Sequence, residues 1–250
     1  MLNIISIPAF QDNYIWLIDN GNHATVIDPG DSAPVIATLE KRKLKLTNIL
    51  ITHHHADHIG GVETLIREFS PQVYAPQKEQ YTFPHIAVVD QQSINISDLN
   101  LSLKVIDVGG HTLGHVAYYG ANSLFCGDTL FGGGCGRLFE GTPEQMFASL
   151  QKIAQLPAKT AVYCAHEYTE HNLQFAMSVE QNNQALNERV STAHTMRASG
   201  LPTIPSSIEL ELKTNPFLRC DSKEIIQTLG MQHVNPIEVF TKLRQMRNLF

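Results

Sequence analysis

Residues 52–58 read Thr-His-His-His-Ala-Asp-His, and no other run constrains the chain as strongly. Twelve histidines spread evenly over 250 residues would give about 0.3 per six-residue window, whereas residues 53–58 hold four. The apolar run Asn48-Ile49-Leu50-Ile51 just before them reads as a buried strand. On an extended chain, side chains two apart point the same way, which puts His53 and His55 on one face. Asp57 and His58 follow where the chain turns into a helix expected to begin near Ile59-Gly60-Gly61. Neutral imidazoles with a carboxylate are the ligand set of zinc, iron or manganese at a hydrolytic site. A merely polar strand end fits poorly, because the cluster is internal and follows a buried-type strand.

Three further residues share that context. His111 follows the expected strand 102–108, Asp128 follows 123–127 and His166 follows 160–164. Each stands at the carboxyl end of a strand, where layered α/β folds place their sites. Five histidines and two aspartates are too many for one four-coordinate zinc and suit two metals sharing a carboxylate.

A chain of 250 residues and 27.8 kDa makes one large domain, or one domain with an appendage. No apolar run approaches the roughly 20 residues that span a bilayer, and the first residues lack a basic, apolar leader, so a cytoplasmic protein is expected. The net charge of −6 argues against nucleic acid or an anionic membrane as partner. That charge is uneven: residues 1–212 carry 12 basic against 21 acidic side chains, and residues 213–250 carry 6 against 3. Cys126, Cys135, Cys164 and Cys220 form no C-x-x-C pair and read as buried thiols.

Short β-rich runs dominate to about residue 170: 2–7, 13–19, 24–28, 47–51, 101–108, 116–119, 123–127 and 160–164. Helices are expected at 32–42, 59–69 and 143–155, the last opened by a Thr142/Gln145 capping box with Pro143 at its first position. Alternation of this kind indicates a layered α/β core. Beyond it come one long helical pattern over 171–199, a proline-punctuated linker over 200–205, and two more helices. The first of these is capped by Asp221 and Glu224 and stopped by Gly230; the second opens with Asn235, Pro236 and Glu238, with Val239, Leu243, Met246 and Phe250 as its apolar face. The expected division is therefore a core over 1–170 and a smaller helical region over 171–250.

With these blocks in view, the sequence resembles the metallo-β-lactamase superfamily and, within it, the glyoxalase II (hydroxyacylglutathione hydrolase) family. The likeness spans nearly the whole chain. It is carried by Asn13-Tyr14, Val26 through Gly30, Thr52 through Gly61, Gly110-His111-Thr112-x-Gly114-His115, Gly127 through Phe131, Gly134 through Arg137, Cys164 through Thr169, and Asn215-Pro216-Phe217. The first H-x-H-x-D-H block marks the superfamily; the later blocks and the helical tail narrow it.

The resemblance implies an αββα sandwich with a smaller helical C-terminal domain. It implies two divalent metal ions, zinc foremost, with iron or manganese as alternatives. His53, His55 and His111 would hold one, Asp57, His58 and His166 the other, and Asp128 both, with Asp57 also orienting the attacking hydroxide. It implies a glutathione thioester as partner, S-D-lactoylglutathione above all, hydrolysed in methylglyoxal detoxification by a monomer. Arg137, Tyr168, Arg244 and Arg247 match positions that contact the substrate; a solvated, basic helix end is the plainer reading of the last two. His54 and His115 read as packing residues or as side chains that orient ligands, and Asp28 as a turn residue that orients a ligand imidazole. His23, His85, His171, His194 and His233 match no motif and read as surface or packing residues. Two departures concern affinity: Phe139 stands where some members carry tyrosine, and Arg137 where others carry lysine. The rival readings are a mononuclear-iron persulfide dioxygenase, a lactamase, and a binding module with a structural metal.

Overall fold

Asn13–Asp19 has every residue buried, and this strand (β2) organises the first half of the computed structural model, which describes residues 2–232 and 234–250. A strand that is apolar on both faces must be covered on both. It lies between Asn3–Ala9 (β1), paired antiparallel from Asn3↔Asp19 to Ala9↔Asn13, and His23–Ile27 (β3). The sheet then continues in parallel through Lys45–Leu50 (β4), Gln72–Pro76 (β5) and Ile86–Val88 (β6).

The crossovers are helices. Ser32–Arg42 (α1) is opened by Asp31, whose side chain accepts from Ala33 N, and is closed by Lys43 in the left-handed region. Val35 and Leu39, four apart, form its buried stripe. The helix expected over 59–69 is instead two: Ala56–Ile59 (α2) and Val62–Phe69 (α3). The break comes at Gly60-Gly61, where backbone meets backbone. Gly61 N donates to Pro29 O at 2.9 Å, and a Cβ on Gly61 would lie 2.5 Å from Ser32 N. The core of this half joins α1 and α3 to the sheet through Leu17, Val26, Leu39, Ile49, Val62 and Leu65.

A second, antiparallel set of strands belongs to the same compact unit, which comprises the chain up to Asp107 together with Thr112–Gly127. It runs Ser93–Ile96 (β7), Leu101–Asp107 (β8), Val116–Gly120 (β9) and Ser123–Gly127 (β10). Fully buried Tyr118 on β9 donates its hydroxyl to Ile51 O just beyond β4, at 2.7 Å, and Val116 N donates to Thr52 O at 2.9 Å. These bonds fix the carboxyl end of β4 against β9.

The other compact unit comprises Val108–His111 and Asp128–Phe250. It opens with the two-residue strands Leu130–Phe131 (β11) and Gly134–Cys135 (β12), a glycine hairpin. Pro143–Ala154 (α4) follows with its capping box present, then Ala161–Cys164 (β13). The long helix expected over 171–199 is split into Thr169–Val179 (α5) and Gln184–Ala198 (α6). Glu180 leaves the helical region and accepts from Arg219, Ser222 and Asn183, while Asn183 caps α6. Ser206–Ser207 (β14) pairs with β13, and Ile208–Thr214 (α7), Lys223–Thr228 (α8) and Pro236–Leu249 (α9) complete the chain. Ser222 rather than Asp221 sits at the N-cap of α8. The buried face of α9 is Val239, Phe240, Leu243 and Arg244; Met246 is half-buried and Phe250 is exposed. This division by packing falls earlier in the chain than residue 170, because α4 and the β11–β12 hairpin pack with α5, α7 and α9. Among the described residues, no helix is long and apolar enough to cross a membrane.

The Tyr118 hydroxyl bond yields a test. Tyr118→Phe removes it and leaves Ile51 O buried, so the urea unfolding free energy should fall by about 1–3 kcal/mol with an unchanged denaturant slope. An unchanged midpoint would show that the bond contributes nothing.

Candidate metal centre and cleft

Asp28, in the left-handed region at φ 52° just after β3, sets the first unit's part of the site. Its Oδ1 accepts from Thr52 N and its Oδ2 from Thr52 Oγ1, both at 2.7 Å, and Oδ2 also lies 3.0 Å from His58 Nδ1. A carboxylate accepts only, so His58 Nδ1 carries the proton and Nε2 presents a lone pair. Having given its proton to Asp28, Thr52 Oγ1 can only accept from His53 Nδ1, 3.0 Å away. His53 Nε2 therefore also presents a lone pair. One carboxylate fixes two tautomers. Asp28, His53 and His58 offer ligand atoms within 4.8 Å of one another, but both oxygens of Asp28 are committed to this orienting task.

Each lone pair faces a second polar side chain. His53 Nε2 lies 3.1 Å from His55 Nδ1, and His58 Nε2 lies 3.5 Å from Asp57 Oδ2. Asn13, at the start of β2, donates its amide to Asp57 Oδ2 at 2.9 Å. His115 is fully buried and stacks on His53, with centroids 4.5 Å apart at 20°; half-exposed His54 pairs with Glu79 at 3.2 Å. Both act in packing and support, as the sequence suggested.

The second unit repeats the logic. His111 Nδ1 lies 2.7 Å from Arg137 O, an acceptor, so it too donates there and turns a lone pair outward at Nε2. That atom stands 3.3 Å from Asp128 Oδ2, and His166 Nε2 stands 3.4 Å from Asp128 Oδ1. Beside them is a cleft of about 440 Å³ lined by His111, Asp128, Arg137, Tyr168, Arg244 and Arg247. Tyr168 stacks on His166, with centroids 4.7 Å apart at 8°, and Phe139 stands edge-on to His111, 61% exposed.

Arg244 and Arg247 do not form a solvated helix end. Arg244 is buried and donates to Cys135 O at 2.7 Å; Arg247 directs Nε and Nη2 at Asn172 Oδ1, 3.3 and 3.1 Å away. Burial, with Arg244 and Arg137 nearby, holds the Arg247 guanidinium below its usual pKa.

Sequence reasoning assigned no role to Asn13 or Asn172, whose partners Asp57 and Arg247 lie too far along the chain to leave a spacing signal. His171, expected to be a surface or packing residue, lines the cleft one turn beyond Tyr168. His85 bonds to Phe83 O and His194 pairs with Glu170 at the surface, while His233 lies outside the described residues.

These donors fit a divalent cation. Two ligand atoms on a tetrahedral ion at 2.0–2.2 Å stand roughly 3.3–3.6 Å apart, and the facing pairs here lie at 3.1–3.5 Å. An imidazole lone pair facing a carboxylate oxygen, as at His58–Asp57 and His111–Asp128, is repulsive until a proton or a cation joins the two. Because Asp28 fixes two of the rings, Asp28→Asn should weaken metal retention about 10–100-fold in chelator competition; unchanged retention would remove Asp28 from that role.

Comparison with known proteins agrees. Residues 10–166 match the family model described as metallo-beta-lactamase superfamily, and residues 167–250 match that described as hydroxyacylglutathione hydrolase C-terminus. A hydroxyacylglutathione hydrolase of Methylobacillus flagellatus is 56% identical over 250 residues, covering all of both chains. One from Dechloromonas aromatica is 55% identical over 233 residues, 93% of this chain and 87% of that protein. The crystal structure of ETHE1 from Myxococcus xanthus superposes with a TM-score of 0.67 at 22% identity, covering 100% of this chain and 99% of that one, which reflects a shared fold. That fold is the α/β sandwich with a helical C-terminal region anticipated from the sequence, and its His/Asp clusters can take divalent metal ions. The chain belongs to the hydroxyacylglutathione hydrolase (glyoxalase II) family of the metallo-β-lactamase superfamily.

Proposed function

We propose that the chain hydrolyses S-2-hydroxyacylglutathione thioesters, chiefly S-D-lactoylglutathione, to the hydroxy acid and glutathione in the cytoplasm. The observation that carries this reading is a single cleft lined by His111 and Asp128 together with the guanidinium groups of Arg137, Arg244 and Arg247. On this reading the core over 1–170 supplies the chemistry and the helical region over 171–250 binds the tripeptide.

His53, His55 and His111 would hold one zinc ion, Asp57, His58 and His166 a second, and Asp128 both. Two such ions supply Lewis acidity, lowering the pKa of water to about 7 and polarising the acyl carbonyl. The chain's own residues do the rest. Asp57, steadied through Oδ2 by Asn13, orients the attacking water and accepts its proton. The thioester C–S bond then breaks, and sulfur leaves with the electron pair. A thiolate of pKa near 8.5 departs with little help from an acid, consistent with a site whose carboxylates are all engaged otherwise.

Glutathione carries two carboxylates and one ammonium, so its pocket needs cations. Arg137, Arg244 and Arg247 provide them, and the Tyr168 ring, stacked on His166, offers a hydroxyl beside them. Asn172 accepts from two nitrogens of Arg247 and leaves Nη1 to turn toward an anion. Phe139 offers no hydroxyl, so the peptide is held by charge and stacking at that point.

Loss of thioester absorbance tests the reading. Arg247→Ala should raise KM for S-D-lactoylglutathione at least tenfold with kcat within threefold, since a charged hydrogen bond contributes about 1.5–3 kcal/mol. A wild-type enzyme that cleaves simple acyl thioesters as well as glutathione thioesters would contradict the assignment of the cleft.

A further inference from the structure

Outside the quoted sequence blocks, though one turn before Asn215, Glu211 on α7 is fully buried with four donors on its carboxylate. Arg189 Nη2 (2.5 Å) and the Ser206 hydroxyl donate to Oε1; Gly133 N and Asn215 Nδ2, both at 2.9 Å, donate to Oε2. Arg189, itself buried, also donates to Thr214 Oγ1 at 2.6 Å. Ordinary helix packing does not need a buried carboxylate whose oxygen is aimed at a loop amide, and an apolar pair of like volume is often no less stable.

The amide it holds is the tip of the β11–β12 hairpin. Gly133 has φ 66°, and a Cβ there would lie 2.8 Å from Leu173 Cδ2, so the tip needs glycine at this position. Asn215 Nδ2 donates to Phe131 O and Gly134 O on either side, at 3.3 and 2.9 Å. The two ends of this hairpin are the site itself. Gly136 packs so tightly on Asp128 that a Cβ would lie 1.9 Å from Asp128 O, and Gly136 N donates to Thr129 O at 3.1 Å. The next carbonyl, Arg137 O, is the acceptor that sets the His111 tautomer.

We infer that Glu211, with Arg189 as its counter-ion, is a positioning residue for metal binding and turnover: through Gly133 it holds the hairpin whose ends place Asp128 and orient His111. The inference rests on the ligand roles proposed above for Asp128 and His111. Glu211 touches neither substrate nor metal.

The test is a pair of neutral double variants, since removing one partner alone strands a buried charge. Arg189→Met/Glu211→Leu loses the anchor on Gly133; Arg189→Gln/Glu211→Gln keeps an acceptor for it. Each is read for melting temperature of the metal-free protein, zinc retention against a chelator, and kcat on S-D-lactoylglutathione. The Met/Leu variant should melt within a few degrees of wild type yet lose at least tenfold in zinc retention and in kcat, and the Gln/Gln variant should recover both to within threefold. A Met/Leu variant that melts, retains zinc and turns over as wild type overturns the inference. If the Met/Leu variant does not fold, Glu211→Asp decides: it keeps the charge and withdraws the carboxylate by one methylene. It should lower zinc retention and kcat together at near-normal melting temperature, and wild-type values overturn the inference. A wild-type protein without zinc-dependent thioesterase activity would refute the ligand roles instead, leaving a separable result.

Discussion

Face-to-face acceptors are the constraint around which this molecule is arranged. In each unit an imidazole whose Nδ1 is committed to an acceptor turns its Nε2 lone pair toward a carboxylate oxygen, His58 to Asp57 Oδ2 at 3.5 Å and His111 to Asp128 Oδ2 at 3.3 Å. Such an arrangement is costly in a low-dielectric interior and becomes favourable when a cation joins the donors. The rest of the fold keeps the rings from turning away. Asp28 commits His53 and His58, Arg137 O commits His111, and each of these anchors is fixed by backbone at a strand end or a tight glycine contact. Binding energy for the metal is thus prepared during folding rather than drawn from rearrangement at the site.

The same economy shapes the cleft. Arg244 contributes charge to the cleft while its donors clamp Cys135 O, so a single guanidinium ties α9 to the glycine hairpin and raises the local potential. Arg247 keeps a more open position, oriented by Asn172. An overall acidic chain can therefore present a basic pocket, because the six basic residues after position 212 include two that face inward.

Much of this was legible in the sequence, for a physical reason. A buried strand that ends in a polar run leaves a signature of apolar residues followed by His or Asp, and β4, β10 and β13 could be read that way. So could α1 and α4, whose caps use local rules at fixed offsets. What escaped detection depends on distant partners. β5 and β6 are short and carry little alternation, and β7 alternates over only four residues; they are strands because neighbours pair with them. The pattern across 171–199 has no local stop, since it is Arg219, 39 residues away from Glu180, that stabilises the break. The split at Gly60-Gly61 comes from contact with Pro29 and Gly30, which no window of sequence contains. At the candidate site the histidines and aspartates stand in compact runs, whereas Asn13, Asn172 and Glu211 bond to groups 44, 75 and 78 positions away.

Reconstitution of metal-free protein with zinc, following bound metal and S-D-lactoylglutathione hydrolysis in the same samples, addresses the central claim most directly. Activity should be absent without metal and rise to a plateau at two ions per chain. Two bound ions with no thioester hydrolysis, or undiminished hydrolysis in the chelator-stripped protein, would contradict the account.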